Sequence, residues 1–452
     1  MNNLKVGFSK VNINPPLGIS IAGYYVSRFA KGFLDDTNIS GVAFECGDKK
    51  ILVMSVDVCS VATVIAKFFA EKIEEATGVS KENIFITATH SHTAADIATT
   101  LDGSQDETIN SYTRFVTSRI VDAAVMALAD LKSAKMGYAT GWAPERVAYI
   151  RRYRMKDGST FTCPPINDPD IVGPIGELDQ RVHVLRFTRE GAEDVVIVNY
   201  GVHADTVNGE LISADWPHWM YKTLDAALDG VKCIFIAGAQ GDVGSTNVHP
   251  SGGDMNDTEI SFDNEMKSPG MARFVGRALA GTVLQVYDKV EYVDVDSIEM
   301  IHKGVTVPAN VPDPADMPLA HKYKELHEAG RDDEIPFKAM QLTTVVAEAL
   351  RMCDLEHGPY EFNLPMSGIR LGNVALVGIP GEPFTEVGVK IKDTEGFDMI
   401  MPCGLVNGYE GYFPVKSAFD EGGYEARTSR YKSGVAEAVV DCGKEILALL
   451  KK

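Results

Sequence analysis

Apolar runs alternate with amphipathic segments along the first half of the chain. Runs such as GVAFECG and KKILVMSVDV are bounded by glycine or charged residues, which is typical of strands. The stretch TVIAKFFAEKIEEATGV has the apolar spacing of a helix that ends at Gly78. A long amphipathic helix is predicted at YTRFVTSRIVDAAVMALADLK, and further strands at ENIFITATH, DQRVHVLRFT, DVVIVNYGVH and VKCIFIAGAQ. This alternation predicts an α/β fold.

The pattern changes after about residue 290. Residues 290–307 alternate as one strand would, and residues 314–355 are mostly helical. The stretch GIRLGNVALVGIPGEPF predicts a strand followed by a Gly-Pro turn, and residues 433–452 predict a C-terminal helix. No internal repeat is detectable. The two long polar loops, 163–179 and 248–270, are expected at the surface or at a site, so one catalytic domain over residues 1–452 is predicted.

Composition and charge narrow the partners. The chain has 452 residues, with 45% hydrophobic and 23% charged residues, as in soluble globular proteins. Its net charge of -20 disfavours nucleic acid and anionic membranes and favours a neutral or cationic small-molecule substrate. No signal peptide or membrane span is predicted, so stable membrane insertion is not expected. The seven scattered cysteines favour a reducing compartment, with the cytoplasm as the expected location, and a homo-oligomer stays open.

The stretch IFITATHSHTAAD carries the first candidate chemistry, because a predicted strand ends there in His90 and His92. In a strand, residues two apart point to the same face, so both imidazoles would enter one small volume. Two adjacent imidazoles are a good start on a metal site. Histidines at strand ends also often bond only to backbone, so both interpretations stay open from the residues alone.

Other candidate ligands are spread along the chain. His203 closes another predicted strand, and Glu382 follows a strand between prolines and a glycine. A carboxylate on so rigid a turn is preorganised, although it can equally be an ordinary turn residue. Tyr409, Tyr412 and Tyr424 lie among glycines, where they either pack a loop or reach a site.

Two imidazoles, a carboxylate and a phenolate would form a nitrogen and oxygen site suited to zinc. A bound dication lowers the pKa of a phenol from its usual value near ~10 and acidifies a water ligand toward ~7.

Seven stretches, in this order, resemble the neutral/alkaline ceramidase family of zinc amidases. They are VGFSKVNINPPLGISIAGYY, TATHSHT, NYGVHADTV, AGAQGDVG, GIPGEPF, NGYEGY and GGYEA, and together they cover most of the chain. The resemblance implies mixed central sheets flanked by helices in αββα-like layers. The chain resembles a short, cytoplasmic member that lacks the C-terminal β-sandwich of many ceramidases.

The resemblance also implies roles for individual residues. The expected zinc ligands are His90, His203, Glu382 and Tyr412. His92 would contact substrate or transfer a proton.

Tyr424 would hydrogen-bond the oxyanion that forms at the attacked carbonyl. An arginine is expected to assist, with Arg151 preferred over Arg152 although the register stays open; a solvated strand edge is the alternative for both.

One departure from the family concerns a serine. In GDVGSTN, Gly244 stands where the resembling ceramidases have an active-site serine, and Ser245 lies one residue later. Either Ser245 takes that place or the enzyme works by metal-activated water without a serine, which we expect. The predicted function is therefore zinc-dependent hydrolysis of a small neutral substrate, by preference at an amide (N-acyl) bond.

Several rival functions carry less weight. An ester, lactone or sugar-derivative hydrolase, or a lyase, is the alternative on the same scaffold. A metallo-β-lactamase pattern needs Asp-His directly after the histidine pair, where this chain has Ala94 and Ala95. A non-catalytic binding protein would have lost a ligand, and all four positions are retained.

Overall fold

A large mixed sheet is built from the first part of the chain in this computed structural model, which describes residues 4–261 and 263–452. Its strand order is β14-β12-β11-β6-β1-β3-β4-β5, and β18 also pairs with β6. The helices of this part are α1 (Thr63–Thr77), α2 (Glu107–Ala129), α3 (Trp216–Ala227) and α4 (Pro269–Tyr287), with a short 3-10 turn at Lys81–Asn83. The strands are β1 (Leu4–Asn12), β2 (Gly32–Phe33), β3 (Asn38–Cys46), β4 (Lys49–Val56), β5 (Ile84–Ala88), β6 (Lys132–Trp142), β7 (Tyr149–Ile150), β8 (Arg152–Met155), β9 (Thr160–Thr162), β10 (Ile171–Pro174), β11 (Arg181–Arg189), β12 (Val195–Tyr200), β13 (Leu211–Ile212), β14 (Lys232–Ala237), β15 (Val243–Gly244), β16 (Glu259–Ile260), β17 (Met266–Lys267) and β18 (Glu291–Val293).

A second, smaller sheet follows, with the strand order β19-β20-β21-β23. The strands of this part are β19 (Ile298–Pro308), β20 (Glu361–Leu371), β21 (Val374–Gly378), β22 (Glu382–Pro383), β23 (Met399–Cys403) and β24 (Tyr412–Phe413). The helices are α5 (Met317–Glu328), α6 (Ala339–Leu355), α7 (Thr385–Lys392), α8 (Lys416–Glu421), α9 (Tyr424–Thr428) and α10 (Val435–Leu450), with a 3-10 turn at Asp332–Glu334. None of the helices in the described residues has the length and apolar character needed to cross a bilayer.

One arrangement of strands occurs three times, although the sequence shows no repeat. In each unit three antiparallel strands are followed by a crossover helix and a fourth strand parallel to the third. The units are β1-β3-β4-α1-β5, β6-β11-β12-α3-β14 and β19-β20-β21-α7-β23. In each unit a long insertion separates the first two strands, at residues 13–37, 143–180 and 309–360. The topology is thus repeated three times in a chain whose residues show no internal repeat.

The two sheets pack face to face between two layers of helices. Strand alternation divides the side chains: on β21, Val374 and Leu376 join the core between the sheets, whereas Ala375 and Val377 pack with α7 and α10. Helices α1 to α4 cover the outer face of the large sheet. The fully buried side chains of Val374, Leu376 and Val377 each contribute roughly 1.5–3 kcal/mol through burial. The predicted αββα layering is confirmed.

Two strand predictions need correction. Residues 290–307 form two strands, β18 and β19, rather than one. The stretch 368–384 holds a hairpin of β20 and β21 rather than a single strand. Its turn depends on Gly372, whose φ of 57° favours glycine and whose added Cβ would lie 2.8 Å from the carbonyl oxygen of Asp294. By contrast, α1 ends as predicted, with Gly78 in the left-handed conformation at φ 72°.

Candidate metal centre

The predicted histidines lie on loops just beyond the strands rather than within them. Strand β5 ends at Ala88, and His90 has a φ of 67°, so strand alternation does not bring His90 and His92 together. The loop is instead held by main-chain bonds: the His90 amide donates to the Val58 oxygen (3.1 Å), and the His92 amide donates to the Ala204 oxygen (3.0 Å). The two imidazoles still meet, with ring centroids 4.7 Å apart. The predicted proximity is therefore correct, but its proposed cause was wrong.

Two histidines and one carboxylate converge in the interior. His90 Nε2 lies 3.2 Å from Glu382 Oε2, and His203 Nε2 lies 3.0 Å from the same oxygen. These side chains are buried, with relative exposures of 2%, 2% and 0%. One ligand atom from each lies within 4.8 Å of the other two, which is a geometry able to hold a metal ion. We call His90, His203 and Glu382 the acceptor cluster.

The tautomers of both imidazoles follow from their outer partners. His90 Nδ1 donates to the carbonyl oxygen of Cys59 (2.7 Å), and His203 Nδ1 donates to that of Val243 (2.8 Å). A carbonyl oxygen can only accept, so Nε2 of each neutral ring carries a lone pair. Metal-binding histidines ordinarily use their second nitrogen in this way.

The acceptor cluster therefore turns three electron pairs toward one point. Among the described residues, His203 Nε2 and Glu382 Oε2 are buried without a hydrogen-bond partner. Burying unsatisfied acceptors is costly unless a cation or a proton lies between them. Two imidazole nitrogens and a carboxylate oxygen fit a zinc-type ion with a coordination position left over.

The pKa shifts of the three cluster residues follow from their burial and from the charges around them. Burial lowers the pKa of His203 to about 4, with the positive charge of Arg151 acting in the same direction. Burial also disfavours charged His90, but the Glu382 carboxylate and the Cys59 side chain together outweigh burial and raise the pKa of His90 well above its ordinary value. Burial raises the pKa of Glu382, yet the two imidazoles hold it well below its usual range. A proton on His90 thus offsets the carboxylate when no other cation does.

Glu382 occupies a rigid position. Its amide donates to the Gly411 oxygen (2.9 Å), and the Tyr409 hydroxyl donates to Glu382 Oε1 (3.0 Å). A Cβ at Gly241 would lie 2.6 Å from the Glu382 carbonyl oxygen, so this glycine permits close approach of two chain segments. Gly241 of AGAQGDVG therefore makes room for the backbone that carries the carboxylate.

Tyr412 lies beside Glu382, because the two residues are partners in the short parallel ladder of β22 and β24. The Tyr412 hydroxyl accepts a hydrogen bond from Arg151 Nη2 (3.1 Å). Burial, reinforced by Glu382, raises the pKa of the phenol well above its ordinary value. The structure thus brings Tyr412 next to the acceptor cluster, with its hydroxyl hydrogen-bonded to Arg151.

The structure distinguishes the two arginines whose register stayed open. Arg151 Nε donates to Glu425 Oε1 (2.8 Å), and the same guanidinium reaches Tyr412. Arg152 donates instead to Glu421 Oε2 (3.1 Å), in a different contact. Arg151 is therefore the arginine on the side of the cluster.

Tyr424 and His92 complete the wall of the site. The Tyr424 ring lies 5.6 Å from that of Tyr412, centroid to centroid. His92 Nε2 lies 3.2 Å from His90 Nε2. Burial lowers the pKa of His92 well below its ordinary value. These positions allow both side chains to face a molecule bound at the cluster.

The position of the missing serine also borders this wall. Gly244 pairs with Tyr149 across β15 and β7, and a Cβ there would have the Arg151 side chain as its nearest neighbour at 3.8 Å. Ser245 is buried at 6% exposure. The chain therefore presents no hydroxyl at position 244 itself.

A second buried group was missed by sequence reasoning. Lys267 Nζ lies 2.8 Å from Asp205 Oδ2, 3.3 Å from Asp263 Oδ2 and 2.6 Å from Glu265 Oε2. We call these four residues the Lys267 cluster. Lys267, Asp263 and Glu265 lie in the polar loop 248–270, where charged residues ordinarily indicate exposure to solvent. Of the four residues, only Asp205 lies in a motif that indicated a functional site.

Comparison with known proteins shows which proteins this chain is similar to. No family model matches the chain. The neutral ceramidase of Pseudomonas aeruginosa is 21% identical over 471 residues, covering 91% of this chain. The chain spans 65% of the length of that curated relative.

Two solved structures share the fold. The crystal structure of neutral ceramidase from Pseudomonas aeruginosa matches with a TM-score of 0.71 and 17% identity, over 100% of this chain and 75% of that one. A ceramidase complexed with C2 matches with a TM-score of 0.70 and 16% identity, over 100% and 76%. The resemblance carried by the seven sequence motifs is thus confirmed, and the chain has the fold of neutral ceramidase.

Proposed function

We propose that the chain is a zinc-dependent hydrolase that cleaves an amide (N-acyl) bond in a small neutral molecule. The observation that carries this proposal is the convergence of His90, His203 and Glu382 in the interior, where His203 Nε2 and Glu382 Oε2 have no hydrogen-bond partner among the described residues. The likeness to neutral ceramidase, whose name describes cleavage of an N-acyl lipid, supports the choice of an amide.

The ligand set of the proposed zinc site is His90, His203, Glu382 and Tyr412. A zinc ion bound there would supply Lewis acidity and lower the pKa of the attacking water. Tyr412 contributes once its hydroxyl proton is lost, which the adjacent Arg151 guanidinium favours by charge.

The remaining roles belong to side chains that face the bound molecule. Tyr424 donates a hydrogen bond to the oxygen of the attacked carbonyl, where negative charge develops. Arg151 adds positive charge on the same side. His92 accepts the proton of the attacking water and delivers it to the leaving nitrogen.

The interior of the site excludes bulk water, since each member of the acceptor cluster is at most 2% exposed. Low local polarity strengthens every charge interaction with the reacting bond. This supports a substrate that is itself neutral, because burying an additional unpaired charge would be costly.

A second candidate function is kept open by one observation, the glycine at position 244. Without a hydroxyl there, the site relies on water as the nucleophile, and water attacks esters and lactones as readily as amides. An ester, lactone or sugar-derivative hydrolase, or a lyase, is therefore the alternative. The unpaired state of all seven cysteines supports our further proposal that the protein works in a reducing compartment such as the cytoplasm.

The test is a screen of the purified, metal-analysed protein against N-acyl amides, esters and lactones, with and without a chelator. The proposal predicts chelator-sensitive cleavage of at least one N-acyl amide, restored by zinc. Cleavage of esters or lactones alone would favour the second function, and chelator-insensitive cleavage would contradict both.

A further inference from the structure

His92 is held from three sides. Its ring packs on the backbone of Gly23, where an added Cβ would lie 2.7 Å from the ring atom Nδ1. Arg28 Nη2 donates to the His92 carbonyl oxygen (2.6 Å), and the His92 amide is bound to Ala204. The ring therefore has a fixed location, and what stays open is the hydrogen bonding of its two nitrogens.

One ring nitrogen of His92 lacks a partner. In the described part of the chain, His92 Nδ1 is buried without a hydrogen bond. Asp205 Oδ2 is the carboxylate oxygen opposite it, at 3.7 Å. This separation is too long for a hydrogen bond, but catalytic hydrogen bonds are often long in an empty site and shorten when the substrate is bound.

Asp205 is itself fixed by a charged residue and a phenol. Lys267, with a side-chain exposure of 1%, lies 2.8 Å from Asp205 Oδ2, and the Tyr24 hydroxyl donates to Asp205 Oδ1 (2.6 Å). Lys267 also contacts the Tyr24 hydroxyl. Burying an ammonium group costs free energy unless opposite charges surround it. Here the Lys267 ammonium holds three carboxylates in one arrangement beside the site.

The partner of Nδ1 decides what Nε2 can do. His92 Nε2 lies only 3.2 Å from His90 Nε2. If a metal ion were bound to His90 Nε2, that nitrogen would have no lone pair left to accept a hydrogen bond from His92 Nε2. A hydrogen bond from Nδ1 to Asp205 places the ring proton on Nδ1 and leaves a lone pair on Nε2. That tautomer faces the reacting bond as a proton acceptor.

We propose that Asp205, held in place by Lys267 and Tyr24, is a positioning residue that sets the tautomer and orientation of His92. This inference rests on the proposed hydrolase function. Neither the sequence nor the resemblance assigned a residue to orient His92. The proposal gives that role to Asp205 of the Lys267 cluster.

The test is a double-mutant cycle on the zinc-loaded enzyme. Asp205→Ala should lower kcat about 10- to 100-fold with little change in KM and unchanged metal content, in the range found for outer partners of metal sites. Asp205→Asn, which keeps an acceptor oxygen, should recover most of that loss. In a His92→Ala background, Asp205→Ala should cost nothing further, because its effect passes through His92.

Asp179→Ala is the matched control. Asp179 pairs with the buried Lys392 at 3.1 Å, and the side-chain exposures of 12% and 9% are close to the 10% of Asp205 and the 1% of Lys267. Asp179→Ala should destabilise the fold but leave kcat unchanged. Equal losses from Asp205→Ala with and without His92 would show a purely structural role and overturn the proposal.

Proton NMR supplies a readout that does not depend on activity. The wild type should show slowly exchanging ring N–H signals from His90, His203 and His92, and Asp205→Asn should shift only one of them upfield. Three unchanged signals would overturn the proposal even if Asp205→Ala does not fold. If the wild type is inactive but Asp205→Asn still shifts one ring signal, the hydrolase function is refuted and the positioning role stands.

Discussion

Two buried groups of polar side chains lie side by side in this protein, and they balance their charges differently. In the Lys267 cluster, three carboxylates surround an ammonium that the chain itself provides. In the acceptor cluster, His203 Nε2 and Glu382 Oε2 lack a hydrogen-bond partner among the described residues, and a proton on His90 offsets the carboxylate when no other cation does. Both are inaccessible to bulk water, so charge and hydrogen bonding must be balanced locally.

The difference shows which cluster requires something from outside. In the Lys267 cluster each carboxylate has an ion-pair partner within the chain, whereas the acceptor cluster needs a proton or a metal ion between its members. We therefore interpret the first as a support and the second as the reactive centre. Changes to single residues in and around the two clusters should show this difference.

The largest effect is expected from Glu382→Ala. This change removes the only carboxylate of the acceptor cluster, so zinc affinity should fall by more than the ~100-fold that follows loss of an outer partner. Metal analysis after dialysis measures the loss. Glu386→Ala, on the exposed side of α7, is the control that should keep its metal. A fully metallated Glu382→Ala protein would refute the ligand role.

The next largest effect is expected from Lys267→Met. Removing the ammonium leaves three buried carboxylates without a counter-charge, which should lower the free energy of unfolding by about 3–5 kcal/mol. Denaturant titration measures the change. Millimolar Ca²⁺ should recover part of it in the variant and leave the wild type unaffected. An unchanged unfolding midpoint would mean that the cluster is not a buried ion-pair support.

Tyr424→Phe should reduce turnover without affecting the metal. Loss of one hydrogen-bond donor to a developing oxyanion costs on the order of 10²-fold in kcat. Steady-state kinetics and metal analysis on the same sample measure both quantities. Tyr287→Phe, whose hydroxyl bonds Asp194 far from the site, is the matched control. Unchanged turnover would remove Tyr424 from the mechanism.

The smallest expected effect is the release of protons when zinc binds. Without metal, Glu382 holds the pKa of His90 above its ordinary value, so His90 carries a proton near pH 7, whereas the pKa of His203 is lowered to about 4 and that ring is neutral. In a Tyr412→Phe variant, which has no phenol proton to lose, zinc binding should therefore release about one proton from the imidazoles, and affinity should rise roughly tenfold per pH unit until His90 is neutral. Calorimetry in two buffers of different ionisation enthalpy measures the release. A release near zero would contradict the pairing of His90 with Glu382.

Much of the layered fold could be predicted from the sequence, because strand and helix periods are local. The end of α1 at Gly78 and the strands β3, β4, β11, β12 and β14 follow from patterns within a few residues. The hairpin at Gly372 was missed because a two-residue turn interrupts a continuous apolar run. The threefold repetition of topology was missed because it leaves no repeat in the residues themselves.

The candidate site was predictable where a residue type is unusual for its context. His90, His203 and Glu382 follow buried strands where few polar residues occur, and the structure brings them together. Their roles, with those of Tyr412, Tyr424, Arg151 and His92, stay predictions. The Lys267 cluster was not predictable, because Lys267, Asp263 and Glu265 all lie in the polar loop 248–270. Charged residues in a polar loop give no sign that they fold inward.

X-ray absorption at the zinc edge of the zinc-loaded protein tests the central claim most directly. The neighbouring Cys59 thiol also lies close to His90 and His92, so a second ligand group with sulfur is geometrically available. The account predicts nitrogen and oxygen neighbours alone, at about 2.0–2.2 Å, with two imidazoles. A sulfur neighbour at about 2.3 Å would contradict it, because the ion would then be bound by Cys59 and not by the acceptor cluster.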